Sequence, residues 1–329
     1  MSTLVSTDSR ERITSRFDRE SSVFDVVDGL DLNGQCALVT GGGSGFGYAT
    51  ARALAQAGAT VYVADVDIEK TRRAADAFNA EHGKARLHPL ALDLASQSGV
   101  RSFASAFLAQ VPALHILVNN AGIMAAPQGY TEDGIERQFA VNYLGHYVLT
   151  RLLQPALVSA RGARVVSVSS IGHRRSDIRY DDIHFRHTPF NTWDAYGQSK
   201  TACALLAVEV DRRWSKHGVR SNTLNPGGSL TGLHEHLTVE ERKRMGWLDE
   251  EGKSPARWRT PEQCASTATW LASAPELADV GGRYFEECQQ APAWSESDPG
   301  VGVKTYAIDP DNARRLWRVS AEMAHMGDD

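Results

Sequence analysis

Thr40-Gly41-Gly42-Gly43-Ser44-Gly45-Phe46-Gly47 follows an apolar run at 36–39 and leads into Tyr48-Ala49-Thr50-Ala51-Arg52-Ala53-Leu54, an alanine-rich helical pattern. A glycine-rich turn between a strand and a helix lets the backbone bend tightly and lets main-chain N–H groups approach a pyrophosphate. The helix start then presents its positive end to the phosphates. Main-chain groups of Gly41, Ser44, Gly45, Phe46 and Gly47 are the candidates for that contact. Gly-rich turns are common, so the next strand decides the matter. The run at 61–64 ends at Asp65, 24 positions after Gly41, close to the ~20 residues at which a carboxylate meets the adenosine ribose. A solvated turn aspartate is the bland alternative. A 2′-phosphate would call for Arg or Lys here, but Gly43, Ser44 and Val66 are all non-basic. The residues therefore favour NAD.

Outward from this turn the chain alternates. Apolar runs at 36–39, 61–64, 87–92, 116–118, 165–168 and 219–224 read as buried parallel strands, with helical segments near 45–57, 68–81, 96–110, 132–157 and 195–217 between them. Repeated βα units imply a Rossmann-type, doubly wound parallel α/β sheet. We expect a polar N-terminal arm over 1–30, loose over 1–20, and a single domain over 31–329. Ser21 or Ser22 would cap a short helix at 23–27 and tie the arm down. Two stretches, 171–194 and 228–260, interrupt the rhythm at the carboxyl edge of the sheet, where open α/β folds bind ligands; 228–260 is the candidate substrate loop. Asp309-Pro310 begins a final helix with Leu316, Trp317, Val319 and Met323 on its apolar side.

The composition excludes other classes. With 329 residues, 42% hydrophobic, 23% charged and a net charge of -5, the chain has enough apolar material for a core. Its acidic balance argues against nucleic acid as a partner. No stretch reaches the ~18–20 apolar residues of a membrane span, and the first 20 residues are too polar for a secretory segment. Cys36, Cys203, Cys264 and Cys288 are scattered, as expected for reduced thiols in a cytoplasmic protein.

Asp93-Leu94 is placed at the end of the third strand, within reach of an adenine, and Asn119-Asn120-Ala121-Gly122 at the end of the fourth. Tyr196-Gly197-Gln198-Ser199-Lys200 opens a helix, putting Tyr196 and Lys200 on one face at i and i+4. A free tyrosine titrates near ~10, and a neighbouring ammonium favours the phenolate needed for base chemistry.

In that order, these motifs resemble the short-chain dehydrogenase/reductase family. TGxxxGxG is matched at Thr40, Gly41, Gly45 and Gly47, and NNAG at 119–122. Asn142 matches the helix asparagine, Ser170 the catalytic serine, Tyr196 and Lys200 the YxxxK pair, and Pro226-Gly227 with Thr231 the PG motif. The long gap from Ser170 to Tyr196, AYGQSK at 195–200 and GGRYFEECQ at 281–289 are similar to the branch of retinol dehydrogenases and WW-domain-containing oxidoreductases, here without a WW domain. The chain departs from that branch at Asp65-Val66, where retinol-type members often carry a basic residue, and at Asn225-Pro226-Gly227, where the branch usually has His-Pro-Gly.

The resemblance implies Tyr196 as acid/base, Lys200 on the nicotinamide ribose, Ser170 on the reacting oxygen and Asn142 in a proton path. It also implies Asn120, Ala121, Gly122, Pro226, Gly227 and Thr231 around the cofactor, and a homodimer or homotetramer. The expected function is NAD-dependent interconversion of a secondary alcohol and a ketone on a bulky lipophilic substrate, a steroid-like hydroxyl being favoured. A retinoid or aryl alcohol/ketone reductase and a non-catalytic NAD-binding sensor are the alternatives; an epimerase or dehydratase would need a larger C-terminal domain. Met245, Trp247, Leu248 and Trp258 read equally as the underside of a lid or as core. His173 is expected to line the pocket or face water. The cluster His184, Phe185, His187, Phe190 and Trp193 is expected to be a packed loop, with no metal. His234 and His236, at i and i+2, point apart on a helix. The run 240–244 is expected to be a solvated helical face, and Arg174-Arg175 a solvated loop pair.

Overall fold

The structure is a computed structural model that describes residues 12–229, 237–255 and 258–328. Eight strands form one sheet: β1 (Cys36–Thr40), β2 (Thr60–Asp65), β3 (Leu87–Ala91), β4 (Ile116–Asn119), β5 (Arg164–Val168), β6 (Arg220–Asn225), β7 (Tyr284–Glu286) and β8 (Gln289–Gln290). Their order is β3-β2-β1-β4-β5-β6-β7-β8. The first seven pair in parallel, and β8 returns antiparallel to β7. The order reverses between β1 and β4, the switch point where an open sheet leaves a crevice.

Side chains on a strand alternate between its faces, so a strand covered on both sides reads as an unbroken apolar run. In β1, Ala37 and Val39 join one core while Leu38 joins the other; in β4, Ile116 and Val118 separate from Leu117 in the same way. One core is completed by Leu54, Phe78 and Trp270, the other by Phe107, Tyr147, Leu206 and Trp317.

Two expectations about elements need correction, and two strands went unannounced. The helix expected over 132–157 begins at Arg137, with the buried Glu136 carboxylate accepting from the N–H groups of Gln138 and Phe139, and a π turn at Ala140–Leu144 interrupts it. A π turn adds a single residue to one turn, and Ala140-Val141-Asn142-Tyr143-Leu144 carries no residue type that marks it. The short β7 and β8 carry no alternation long enough to read. The described part of the segment expected to be loose, 12–20, is tied to the sheet edge: Gln290 N–H donates to Ile13 O (2.8 Å) and the Gln289 amide to Phe17 O (2.6 Å). Ser22 then caps Val23–Val27 through a reciprocal bond with Asp25, and Val23 and Val27 pack on Ala49, Ala53 and Ala265. Among the described residues no helix is long and apolar enough to cross a membrane.

Candidate active site

The crevice is built from the ends of β1, β2, β4, β5 and β6. After β1 the chain turns through 41–44 into the helix Gly45–Gln56, whose N-cap, Ser44, makes no side-chain capping bond. The helix's first N–H groups therefore have no capping side chain in front of them. Close approach explains Gly47: a Cβ there would collide with Gly41 O and come within 2.5 Å of the Asn120 amide nitrogen. Asn120 Nδ2 in turn donates to Thr40 O (2.8 Å), which ties the end of β4 to the turn. Asp65 closes β2 with Oδ2 accepting from Gly43 N–H (3.1 Å) and Oδ1 from Asp67 N–H (3.2 Å). Its carboxylate thus sits beside the glycine turn, and Val66 next to it is exposed. These residues fit a dinucleotide: a free helix start, a turn without side chains and a carboxylate at its rim. Asp93 and Leu94 lie beyond the end of β3 at Ala91, with Asp93 Oδ1 accepting from Ala95 N–H (2.8 Å) and Leu94 buried in the core.

The Thr40 hydroxyl organises the floor. It accepts from Asn120 N–H (2.9 Å) and Ala121 N–H (3.1 Å) and meets His146 Nε2 at 2.8 Å. The other ring nitrogen, Nδ1, faces Asn142 O at 2.9 Å. A carbonyl can only accept, and both Thr40 lone pairs are in use, so His146 is neutral, with its proton on Nδ1. Burial pushes its pKa down to about 4. This ring links the glycine turn to the π turn that carries Asn142. Asn142 Oδ1 accepts from Ile123 N–H (2.8 Å), and its Nδ2 donates to Ile123 O (3.0 Å) and Ser199 Oγ (2.9 Å).

Tyr196, Lys200 and Ser199 lie on the 23-residue helix Thr192–Trp214, whose N-cap Asn191 accepts from Trp193 and Asp194 N–H groups. Tyr196 and Lys200 are buried, and Lys200 Nζ donates to Val168 O (3.1 Å) while standing 5.8 Å from the Tyr196 ring centroid. Gly122 serves as a ruler: a Cβ there would lie 3.0 Å from Asn142 Oδ1 and 3.4 Å from Lys200 Nζ. From Gly172 the same construction gives 2.7 Å to Tyr196 Cε1 and 3.5 Å to Ser170 Oγ. All four expected catalytic side chains therefore converge on one end of the crevice, as do Asn120, Ala121, Gly122, Pro226 and Gly227. Thr231, with His234 and His236, lies outside the described residues.

Two other expectations are corrected. His173 neither lines the pocket nor faces water: it is buried, Nδ1–H donates to Ser170 O (2.6 Å), Nε2 accepts from Lys304 N–H (3.2 Å), and burial lowers its pKa to about 4. It pins the turn that carries Ser170. Arg174 is not solvated but forms a buried ion pair with Glu286 (3.0 Å); half-exposed Arg175 pairs with Asp194 (2.6 Å). The stretch 240–244 lies on the helix Val239–Arg244, none of whose residues is buried, though Glu241, Arg242 and Lys243 are only half-exposed. Among the described residues no His/Cys/Asp/Glu group is arranged to hold a metal.

An apolar wall faces Tyr196. Tyr196 belongs to a buried cluster with Met124, Ala125 and Leu237, on which Trp193, Met245 and Trp247 pack. Trp193 stands 6.5 Å from Tyr196 and 6.1 Å from Trp247, and Trp247 stands 5.7 Å from Trp258.

The family profile described as short chain dehydrogenase matches residues 35–242. The chain belongs to the short-chain dehydrogenase family. It is 43% identical over 303 residues to a probable oxidoreductase of Streptomyces lividans, covering 91% of this chain and all of the relative. Human retinol dehydrogenase 13 is 36% identical over 296 residues, 89% of this chain and 85% of that one, so the resemblance to the retinol dehydrogenase branch holds. Among solved structures, an uncharacterized protein from Mycobacterium paratuberculosis superposes with a TM-score of 0.71 at 30% identity, over 92% of this chain and 98% of that one. A gluconate 5-dehydrogenase from Burkholderia cenocepacia, in complex with NADP and tartrate, reaches 0.61 at 26% identity, over 79% and 95%. The chain is an oxidoreductase of a family that binds a nicotinamide cofactor.

Proposed function

We propose that this short-chain dehydrogenase interconverts a secondary alcohol and a ketone on a bulky lipophilic substrate, with NAD as cofactor. The carrying observation is the wall of Trp193, Trp247, Met124, Met245 and Leu237 against buried Tyr196. A polar substrate would gain nothing from such a surface, whereas an extended apolar one is desolvated there. A steroid-like hydroxyl is the favoured class, ahead of retinoid and aryl alcohols. The preference for NAD rests on Asp65: its carboxylate favours a ribose diol and repels a 2′-phosphate. Gly41, Ser44, Gly45, Phe46 and Gly47, with Asp93, Leu94, Asn120, Ala121, Gly122, Pro226, Gly227 and Thr231, would hold the dinucleotide.

When bound, the nicotinamide supplies or accepts the hydride. The remaining work belongs to the chain. Tyr196 Oη takes the proton of the substrate hydroxyl, or donates one to the carbonyl oxygen in reduction. Ser170 Oγ donates to the reacting oxygen and orients it. Lys200 holds the nicotinamide ribose and presents its ammonium to the Tyr196 ring. Asn142, fixed by Ile123 and Ser199, supports the path by which the proton leaves Lys200. A cytoplasmic setting, a homodimer or homotetramer and one catalytic domain over 31–329 belong to the same reading.

The test is NADH absorbance with NAD or NADP and a panel of steroid, retinoid, aryl and polyol substrates. Turnover of a lipophilic alcohol with NAD, reduced about 10³-fold or more in Tyr196→Phe, is the expected result. Activity confined to polyols would overturn the substrate class, and faster turnover with NADP the cofactor. Tight NADH binding without turnover on any of them would favour a sensor.

A further inference from the structure

We propose that Asn225 is a positioning residue that holds the Ser170 turn and the Pro226-Gly227 loop in one register, with its amide oriented by the buried Glu286–Arg174 pair. Asn225 ends β6. Its Oδ1 accepts from Ile171 N–H (3.2 Å), the first amide past Ser170, and from Gly227 N–H (3.2 Å). Its Nδ2 donates to Glu286 Oε1 (3.1 Å). The orientation is forced: a flipped amide would face two N–H donors with its own NH2 and a carboxylate with its oxygen.

Glu286 is fixed in its turn. Oε1 also accepts from Arg174 Nη2 (3.0 Å), and Oε2 accepts from Gly302 N–H (2.8 Å). Two further Arg174 N–H groups donate to Gly302 O (2.9 Å) and Pro299 O (2.8 Å). Both charged side chains are about nine-tenths buried, so neither has water to replace a lost partner. Gly227, in the left-handed region at φ +82°, has no side chain of its own with which to be held. One amide oxygen therefore joins the turn that aims Ser170 Oγ to the loop that would meet the nicotinamide. Loss of that join misplaces one with respect to the other, and small misplacements are costly in the reacting geometry. The inference rests on the roles proposed above for Ser170 and Gly227.

The test compares Asn225→Ala and Asn225→Asp with wild type in three readouts. These are amide exchange of the peptides spanning 169–175 and 225–229 without cofactor, NADH affinity by energy transfer from tryptophan, and steady-state kinetics on the best substrate. In Asn225→Ala both peptides should exchange faster together, and kcat should fall about 10- to 100-fold with KM for substrate changed much less. Asn225→Asp still accepts from both N–H groups but sets a carboxylate against Glu286, whose own pKa burial already raises. The two carboxyls then need a shared proton. Its activity relative to wild type should therefore climb from pH 8 to pH 6, which Asn225→Ala cannot imitate. Wild-type exchange and kcat in both variants would overturn the proposal, as would equal losses in both at every pH, the signature of packing alone. If the alanine variant fails to fold, acid recovery of the nearly isosteric aspartate variant decides. Wild type that neither binds NADH nor turns over any substrate would instead overturn the functional reading, and the proposal with it.

Discussion

Asp65 shows how much one side chain can decide. Its carboxylate is held at the rim of the glycine turn by Gly43 and Asp67 N–H groups, and no basic side chain follows, since exposed Val66 takes that place. The double substitution Asp65→Ser with Val66→Arg removes the repulsion and supplies a guanidinium for a 2′-phosphate. NADH affinity should fall about 10- to 100-fold and NADPH affinity rise by a similar factor; titration of both reduced cofactors checks it. Preference for NADPH in the unaltered chain would show that Asp65 does not face the ribose. Asp65, Tyr196 and Lys200 were legible because their spacing from a glycine turn or from one another is short and regular, and Ser170 because VSVSS at 166–170 matches a motif of the family the chain resembles. His146, His173 and Asn225 were not. Their partners Thr40, Tyr284 and Glu286 lie 106, 111 and 61 positions away, and no local pattern announces a polar pair that only the fold brings together.

Elements were legible where period and punctuation agreed. Asp309 and Pro310 do cap and start the helix Pro310–Met323, with Asp309 accepting from Asp311 and Asn312 N–H groups. This helix lies against Thr192–Trp214, the helix that carries Tyr196 and Lys200. Trp317 is fully buried between Tyr147 (4.9 Å, edge-on) and Trp214 (6.1 Å, edge-on), and its main-chain O accepts from Tyr147 Oη (3.2 Å). Trp317→Ala should cost about 3–5 kcal/mol, a large share of a typical ~5–15 kcal/mol, read as a fall in the urea midpoint at unchanged slope. A loss under ~1 kcal/mol would mean that the helix is dispensable. The π turn and β7–β8 escaped the sequence for opposite reasons. In the first, one extra residue in a single turn leaves no mark in a mixed helical pattern; in the second, the strands Tyr284–Glu286 and Gln289–Gln290 are too short to show any period.

At the scale of the whole molecule, the buried imidazoles link folding to pH. His146, His173 and His184 all have pKa values lowered to about 4, each chiefly by burial. An unfolded histidine titrates near ~6.5. Between those values the unfolded chain binds protons that the folded chain refuses, so stability is fully present above pH 7 and is lost as pH falls from about 6.5 towards 4. Two buried carboxyls act in the opposite sense. Glu136 and Glu286 have pKa values raised from 4.5, chiefly by desolvation, so near and above that value the folded state holds their protons more firmly and acidification favours it. From pH 6.5 to 5.5 the unfolded chain takes up protons at three imidazoles that the folded chain keeps neutral, against two carboxyls at which the folded chain takes them up, so the histidines set the sign. Each net proton changes stability by about 1.4 kcal/mol per pH unit. Unfolding free energies from urea titrations at pH 7.5, 6.5, 6.0 and 5.5 should therefore decline with a slope below three protons. His146→Gln, which removes one titrating ring, should lower that slope by about one proton even though its stability at pH 7.5 also drops. A slope of zero across this range in the wild-type chain would mean that these rings reach water in the folded state, contrary to the closed hydrogen-bond circuits of His146 and His173.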